Sequence, residues 1–246
     1  MASNRVLSGL LGIYRRSSFF ERPLARRVIK LPFILVTLIL EVACRFKTCR
    51  KDPLPYRLRM ILGSDEHETT SFLRRYASES CFNVIDVGAN VGIYARFFSR
   101  IYPSANIYCF EPNPDIFKIL RYNTRRYPNC HPICLALGSR SGMAKLVINP
   151  AISTISSISA SANATHYKSD KTFHQVGIRR GSDYLESLGI TECSILKIDV
   201  EGFEMEVLLG LDDIIRNTSR VLLVIELCPS SLRDKSVNPL GLFKFL

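Results

Sequence analysis

Apolar and polar positions follow one another along the chain, from residue 67 onward, in a pattern that predicts strands and helices in turn. Short apolar runs, of which CFNVIDVG (81–88) is the clearest, are typical of buried strands. Between them lie stretches with apolar side chains at helical spacing, such as IYARFFSRIYP (93–103), where Pro103 ends the helix. This alternation predicts an α/β fold, with a mostly parallel sheet and helices on both of its faces.

The same pattern predicts the remaining elements. Strands are expected in NIYCF (106–110), HPICLALG (131–138), MAKLVIN (143–149), SILKIDV (194–200) and VLLVIEL (221–227), and helices in HETTSFLRRYASE (67–79), DIFKILRYNTRRY (115–127), SDYLESL (182–188) and EMEVLLGLDDII (204–215). The segment ISTISSISASANAT (152–165) is small, polar and uncharged, so we expect an exposed loop there. An alternative is a mobile flap that closes over the active site.

Length and charge divide the chain into two parts. With 246 residues, 47% of them hydrophobic, the chain can build one sizeable core, so we expect one domain at 61–246 after a leader at 1–60. The formal charge is +11, but the leader holds thirteen Lys/Arg against three acids. The domain holds twenty against nineteen, a net charge of +1. Nucleic-acid binding by the domain is therefore disfavoured.

The leader contains one apolar run, LPFILVTLILEVAC (31–44), which includes Glu41. As a helix, fourteen residues reach about 21 Å, against roughly 30 Å of bilayer hydrocarbon. The run is therefore too short to span a membrane. Two interpretations remain: an interfacial anchor whose cations face anionic lipid, or a helical extension packed on the domain.

The eight cysteines form no CxxC pair, and no histidine stands at ligand spacing from any of them. We therefore predict no metal site. Several cysteines lie inside apolar runs, where a reduced thiol behaves as a small hydrophobic side chain. Reduced thiols favour a cytoplasmic location, peripheral at the membrane if the leader is an anchor.

The turn after the first strand reads Gly88-Ala89-Asn90-Val91-Gly92 and departs from the GxGxxG pattern of dinucleotide folds. Asn90 stands where a middle glycine would let a pyrophosphate approach the backbone. The turn therefore favours a nucleoside without phosphate, held by Asp86 and the bare backbone of Gly88. Glu111, at the end of the second strand, can accept hydrogen bonds from both ribose hydroxyls.

Several motifs together resemble the FkbM-type S-adenosylmethionine-dependent methyltransferases. These motifs are VIDVGANVGIYARFFSR, CFEPNPDIFKILRYN, LALGSRSG and LKIDVEGFEMEVLLG followed by VIELCP, and they lie in order between about Glu68 and Pro229. The resemblance implies a Rossmann-like class I methyltransferase fold, with S-adenosyl-L-methionine as the cofactor. It also implies O-methylation of a small-molecule, sugar or lipid-linked acceptor.

The resemblance also implies roles for individual residues. Those expected to bind the cofactor are Asp86, Gly88, Asn90 and Gly92 at its methionine end, Glu111 and the neighbouring Asn113 at the ribose, and Leu137, Gly138 and Ser139 at the adenine. Asp199 is expected to face the transferred methyl group, with Glu201 two residues further on. Lys197 shares the strand face of Asp199 and is expected to be its structural partner.

For catalysis, our hypothesis is that Asp199 orients acceptor and donor, with Glu201 or Glu226 as the candidate base. An alternative is that Glu201 caps the helix that begins near Gly202. The four histidines show no triad spacing, so surface positions are expected for them.

Methyltransferases of this class usually end with a helix and an antiparallel hairpin after the fifth strand. Only nineteen residues follow Leu227, so we expect the hairpin to be missing, and an uncovered sheet edge would favour a homo-oligomer.

Three other functions stay open. They are a catalytically impaired nucleoside-binding module tethered to membrane, a nicotinamide-dependent oxidoreductase, which the glycine turn disfavours, and an RNA methyltransferase, which the nearly neutral domain disfavours.

Overall fold

A computed structural model describes residues 35, 37–62, 67–75, 81–149, 156–159 and 173–226. The helices are α1 (Leu54–Leu62), α2 (His67–Arg75), α3 (Ile93–Ile101), α4 (Pro114–Thr124), α5 (Gly181–Ser187), α6 (Glu204–Gly210) and α7 (Asp212–Asn217), and residues 37–43 are also helical. The strands are β1 (Asn83–Val87), β2 (Asn106–Phe110), β3 (Cys130–Ile133), β4 (Ala136–Gly138), β5 (Gly142–Ile148), β6 (Ser156–Ser159), β7 (Phe173–Arg180), β8 (Ile195–Ile198) and β9 (Leu222–Ile225).

Within the described ranges, five parallel strands form the main sheet in the order β3-β2-β1-β8-β9. The chain builds outward from β1 to β3 and then returns to place β8 on the other side of β1. The strand order therefore reverses at β1, and in open α/β sheets ligands bind at the carboxyl ends of the strands beside such a point.

Both faces of the main sheet are covered. Side chains alternate along a strand, so Val84 packs with the aromatic residues of α3, whereas Ile85 packs with residues of α5, α6 and a second sheet. The buried thiols of Cys109 and Cys193 lie on these two faces. The predicted α/β fold, with a mostly parallel sheet flanked by helices, is confirmed.

The second sheet differs from the prediction. It has the order β4-β7-β5-β6, in which β5 runs antiparallel to both of its neighbours. The predicted strand HPICLALG is in fact two strands, because the chain turns between Ile133 and Leu135 and carries β4 into the other sheet. Strand β7 was not predicted.

Part of the segment expected to be a loop is also a strand. Residues 156–159 form β6. Ile158 is opposite Leu146 of β5, and both side chains are buried in the core. The loop prediction is therefore wrong at these residues. The rest of 152–165 lies outside the described residues, as does the flap interpretation that depends on it.

The predicted helix over 204–215 is two helices, α6 and α7, separated at Leu211. The end of α6 lies very close to β4, since a Cβ on Gly210 would stand 1.9 Å from the carbonyl oxygen of Gly138. Glycine at this position therefore allows the helix to pack against the second sheet.

The described part of the leader packs on the domain. Phe46, Cys49 and Met60 form an apolar cluster with Val91 and Ile116. No helix among the described residues is long and apolar enough to cross a bilayer. Residues 227–246 lie outside the described residues, and with them the prediction of a missing C-terminal hairpin.

Candidate functional site

A cavity of about 300 Å³ lies at the carboxyl edge of the main sheet. Gly88, Glu111, Asp199 and Glu226 line it, each directly after a strand of this sheet. Backbone hydrogen bonds continue the pairing of the strands past their ends. The amide of Gly88 donates to the carbonyl of Phe110 (3.0 Å), and that of Asp199 donates to the carbonyl of Val87 (3.0 Å). The parallel sheet therefore brings together residues that are far apart in sequence.

Gly88 is required by the close approach of two strand ends. Its φ is +81°, and a Cβ there would lie 1.8 Å from the carbonyl oxygen of Asp199. Any side chain would therefore collide with backbone that cannot move away, in addition to the strain of a left-handed conformation. The absence of a side chain leaves the backbone of the turn open to the cavity.

The Glu111 carboxylate is buried and held by two backbone amides. Asn113 donates to Oε1 (2.8 Å), and Asn90, whose φ is +52°, donates to Oε2 (3.0 Å). Burial raises the pKa of Glu111 to about 7 against the effect of these two hydrogen bonds, and the nearby Asp86 and Asp199 raise it further. The turn and the second strand thus fix an acid that changes its charge near neutral pH.

Lys197 links two of the predicted site residues. Its Nζ lies 3.5 Å from Oδ1 of Asp86 and 3.2 Å from Oδ2 of Asp199, and 4.6 Å from the centre of the Tyr94 ring. The lysine is buried, and so is Asp86, whereas the side chain of Asp199 is 28% exposed. The predicted pairing of Lys197 with Asp199 is confirmed, and the pair fixes Asp199 at the cavity.

Glu201 lines the cavity in a left-handed conformation, with φ of +52°. Such backbone is costly for a residue with a side chain and often accompanies function. Near the predicted start of the helix, Oε1 of Glu204 accepts the amide hydrogen of Gly202 (2.7 Å). The alternative that Glu201 caps the helix stays a prediction. Helix α6 itself begins at Glu204, with no side-chain hydrogen bond at its N-cap Phe203.

The structure brings most, but not all, of the predicted site residues to the cavity. Those that line it are Gly88, Asn90, Glu111, Leu137, Asp199, Glu201 and Glu226. Among the others, Asp86 is buried beside Lys197, Gly92 is the N-cap of α3 and Asn113 is the N-cap of α4. Gly138 lies near Phe203, the N-cap of α6. The hydroxyl of Ser139 donates a hydrogen bond to the carboxylate of Glu206 in α6. Their predicted contact with adenine stays a prediction.

Two walls of the cavity come from residues that the sequence did not indicate. Helix α1 contributes Tyr56, Arg59 and Met60, and the second sheet contributes Leu146, Ser156 and Ile158. Most of helix α1 belongs to the predicted leader. Its contacts are with residues far along the sequence, so no local sequence pattern indicates them. For β6, the spacing of Ile155 and Ile158 between serines does not distinguish a short strand from a loop.

The lining combines apolar residues with several acidic ones. Phe110, Leu135, Ala136 and Leu137 are apolar. The acidic residues of the described lining are Glu111, Asp199, Glu201 and Glu226, and its cations are Arg59 and Lys197. Such a cavity suits a ligand with a flat apolar part, hydroxyl groups and a positive charge.

Within the described ranges, no group of three His, Cys, Asp or Glu side chains could hold a metal ion.

Comparison with known proteins gives consistent results. A family model, the methyltransferase FkbM domain, matches residues 86–241. The hexuronic acid methyltransferase AglP of Haloferax volcanii is 33% identical over 172 residues, which are 69% of this chain and 65% of that protein. Methyltransferase 1 of Beauveria bassiana is 31% identical over 166 residues, 60% of this chain and 65% of that protein. The 31-O-demethyl-FK506 methyltransferase FkbM of Streptomyces tacrolimicus is 28% identical over 155 residues, 53% of this chain and 59% of that protein.

The chain thus spans less than two thirds of the length of each of these relatives. The family match begins at Asp86 in the first strand and includes Glu111, Asp199 and Glu226 around the cavity. The resemblance seen in the sequence motifs is confirmed, and the chain belongs to the FkbM methyltransferase family.

Proposed function

We propose that the protein is an S-adenosylmethionine-dependent methyltransferase that O-methylates a small-molecule, sugar or lipid-linked acceptor. One observation carries the proposal: the carboxyl ends of β1, β2 and β8 place Gly88, Glu111 and Asp199 around one cavity. Its volume of about 300 Å³ is at the lower end of the range of small-molecule pockets. The names of two relatives, which refer to a hexuronic acid and to 31-O-demethyl-FK506, support a sugar or small-molecule acceptor.

The described residues fit the nucleoside part of this donor. Each Glu111 oxygen accepts one backbone hydrogen bond and keeps a lone pair for a ribose hydroxyl. The apolar side chains of Phe110, Leu135 and Leu137 offer a surface for a flat base. The bare backbone of Gly88 allows close approach of the amino-acid end.

The acidic residues of the cavity lining fit the positive charge of the donor. When bound, S-adenosylmethionine supplies an electrophilic methyl group on a sulfonium. Carboxylates close to a cation stabilise it, most of all where water is partly excluded. Asp199, held by Lys197, would keep a negative charge at the edge of the cavity.

Catalysis would then depend mainly on alignment. Holding the acceptor oxygen in line with the methyl group can supply most of the reduction in barrier. Asp199 would orient the acceptor, and Glu201 or Glu226, both in the cavity lining, would accept the proton of an alcohol. Lys197 would act through Asp199 as a positioning residue.

Two measurements test the proposal. Calorimetry on the full chain should detect binding of S-adenosylmethionine and no binding of NAD. A methyl-transfer assay with radiolabelled donor should then label a glycan, lipid or small-molecule fraction. Binding of NAD without binding of S-adenosylmethionine would overturn the proposal. Labelled RNA would favour the RNA methyltransferase alternative, and donor binding with no labelled product would favour the nucleoside-binding module.

Three further predictions are not needed for this function. They are a peripheral contact of residues 1–60 with a membrane, a cytoplasmic location and self-association, and they stay predictions.

A further inference from the structure

The N-terminal segment 44–49 packs on the glycine turn (residues 88–92), although the family model matches only residues 86–241. Phe46 lies in one apolar cluster with Val91 of the turn, whose side chain is completely buried. The earlier residues of the turn, 88–90, line the cavity instead. The turn therefore faces the cavity with its first residues and contacts the N-terminal segment with Val91.

Asn123 of α4 joins the N-terminal segment to the turn through its side-chain amide. Its Oδ1 accepts the backbone amide hydrogen of Lys47 (2.7 Å), and its Nδ2 donates to the carbonyl of Lys47 (2.9 Å) and to that of Val91 (2.7 Å). Both hydrogens of the amide group are thus used. Asn123 is only 2% exposed, and hydrogen bonds are electrostatically stronger where water is excluded.

A second contact joins the same segment to α3, the helix that follows the turn. Nη2 of Arg96 donates to the carbonyl of Cys44 (3.0 Å), and its guanidinium lies 4.9 Å from the centre of the Phe46 ring. Helix α4 also packs closely on the turn, since a Cβ on Gly92 would lie 2.8 Å from Cδ1 of Leu120. The N-terminal segment therefore contacts the turn and both helices beside it.

The conformation of the turn needs support from its surroundings. Three of its five residues have a positive φ, among them Asn90 at +52°. Left-handed backbone is costly for a residue with a side chain and persists only where surrounding contacts determine it. One such contact is the hydrogen bond from the amide of Asn90 to Oε2 of Glu111 (3.0 Å), and another is that from Asn123 to the carbonyl of Val91. The turn is thus held by a residue of the cavity lining and by one outside it.

We propose that residues 44–49 are part of the donor site and that Asn123 is the positioning residue through which they hold the glycine turn in its binding conformation. The proposal rests on the proposed function, since it assumes that the turn meets the amino-acid end of S-adenosylmethionine. Asn123 lies outside the cavity lining and acts through the carbonyl of Val91.

This arrangement couples the N-terminal segment to the donor in both directions. Loss of the contacts at Asn123 leaves the turn less ordered, so a donor that needs the ordered turn binds more weakly. Conversely, a ligand that orders the turn also orders residues 44–49 without touching them, because coupling between two sites is reciprocal.

The first test compares two asparagines in the full chain. Asn123→Ala should raise the dissociation constant of S-adenosylhomocysteine about tenfold, which corresponds to the loss of one ordinary hydrogen bond. Asn129→Ala is the matched control, since Nδ2 of Asn129 also donates to two backbone carbonyls, those of Tyr102 (3.2 Å) and Ala105 (3.0 Å), outside the cavity lining. It should leave the dissociation constant unchanged. Urea denaturation establishes that both variants are folded at the temperature of the calorimetric titration.

The second test needs no variant and therefore applies even if Asn123→Ala does not fold. Hydrogen exchange is followed by mass spectrometry on the unmodified full chain, with and without saturating S-adenosylhomocysteine. The ligand should slow exchange in residues 44–49 as well as in the turn. Exchange in residues 102–105, which contact Asn129, should not change.

Unchanged affinity in Asn123→Ala would overturn the proposal, and so would unchanged exchange in residues 44–49. An equal loss of affinity in Asn129→Ala would also overturn it, because donor binding would then follow general stability and not the position of the turn. Binding of S-adenosylhomocysteine to the unmodified chain is measured first, so its failure would count against the proposed function and not against the role of Asn123.

Discussion

At Glu111, burial favours the protonated carboxyl group, whereas binding of a ribose would favour the ionised one. Its pKa is raised from 4.5 to about 7, mainly by burial. A carboxyl group whose folded pKa is raised contributes stability below its unfolded pKa of 4.5, and that contribution is lost as pH rises through about 7. The ionised form therefore costs folding free energy, which hydrogen bonds from a bound ribose would offset.

We predict that the affinity for the donor rises with pH through about 7, because the ionised carboxylate of Glu111 accepts hydrogen bonds from both ribose hydroxyls. Below that pH the affinity should fall by up to about tenfold per pH unit, the limit for a single titrating group. Calorimetric titration with S-adenosylhomocysteine from about pH 6 to about pH 8 measures this dependence.

Glu111→Gln provides the control. It keeps the shape of the side chain but cannot ionise, so donor binding should be weaker and should no longer change around pH 7. An unchanged pH dependence in this variant would show that another group is responsible.

Asp199→Asn tests the catalytic assignment. The amide keeps the size of the side chain but loses the charge that pairs with Lys197 and faces the cavity. Turnover should fall by about a hundredfold or more, whereas the dissociation constant of S-adenosylhomocysteine, which lacks the sulfonium charge, should change little. Asp183→Asn, at an exposed position outside the cavity lining, is the matched control. Full turnover in Asp199→Asn would remove the assignment.

At the scale of elements, the turn between β1 and α3 depends on the close contact of two strand ends. Gly88→Ala would place a methyl group 1.8 Å from the carbonyl oxygen of Asp199, at a φ of +81°. We predict a loss of about 3 kcal/mol or more in the free energy of unfolding, together with loss of donor binding. Chemical denaturation and calorimetry measure the two effects.

Gly189→Ala separates the collision from the backbone strain. Gly189 has a similar φ of +76°, but a Cβ there would meet nothing within 4 Å in the described structure. This variant should lose only about 1–2 kcal/mol, the cost of a left-handed residue with a side chain. Equal losses in the two variants would mean that strain alone accounts for the requirement at Gly88.

The main sheet could be predicted from the sequence because its strands are continuous apolar runs separated by helices. The second sheet could not. In HPICLALG, an unbroken apolar run hides the turn at Cys134 that sends β4 to a different partner. Strand β6 pairs through serines, whose small polar side chains are also typical of loops.

The same contrast applies to the site. Glu111 could be predicted because the carboxyl ends of parallel strands meet at one edge, where a strand-end acid can reach a ribose. Asp199 could be predicted from the resemblance to the FkbM-type methyltransferases. Arg59 could not be predicted, because the segment that carries it is held on the domain by contacts between residues far apart in sequence. One example is the contact of Lys47 with Asn123, which are 76 residues apart. Pairing at such separation is set by tertiary packing and leaves no periodic pattern.

At the scale of the whole molecule, positive charge is concentrated at the N-terminal end. Residues 1–34 hold seven Lys/Arg against Glu21. Further along the leader, Arg57 pairs with Glu41 inside the leader, and Nζ of Lys47 lies 3.7 Å from the centre of the Tyr122 ring of the domain. The two interpretations of the leader can therefore apply to different parts of it, with 41–60 packed on the domain and 1–34 providing the charge.

We predict that residues 1–34 bring the protein to anionic membranes. Each Lys or Arg close to such a surface contributes about 1 kcal/mol, so a net charge of +6 should bind vesicles of phosphatidylcholine with phosphatidylserine and leave pure phosphatidylcholine largely unbound. Co-sedimentation measures this at low and at high salt, where screening should weaken binding. A chain that begins at residue 35 should stay in the supernatant while it still binds S-adenosylhomocysteine. Equal sedimentation of both chains would contradict the prediction and place the membrane contact in residues 35–246. No sedimentation of the full chain would favour packing of the whole leader on the domain.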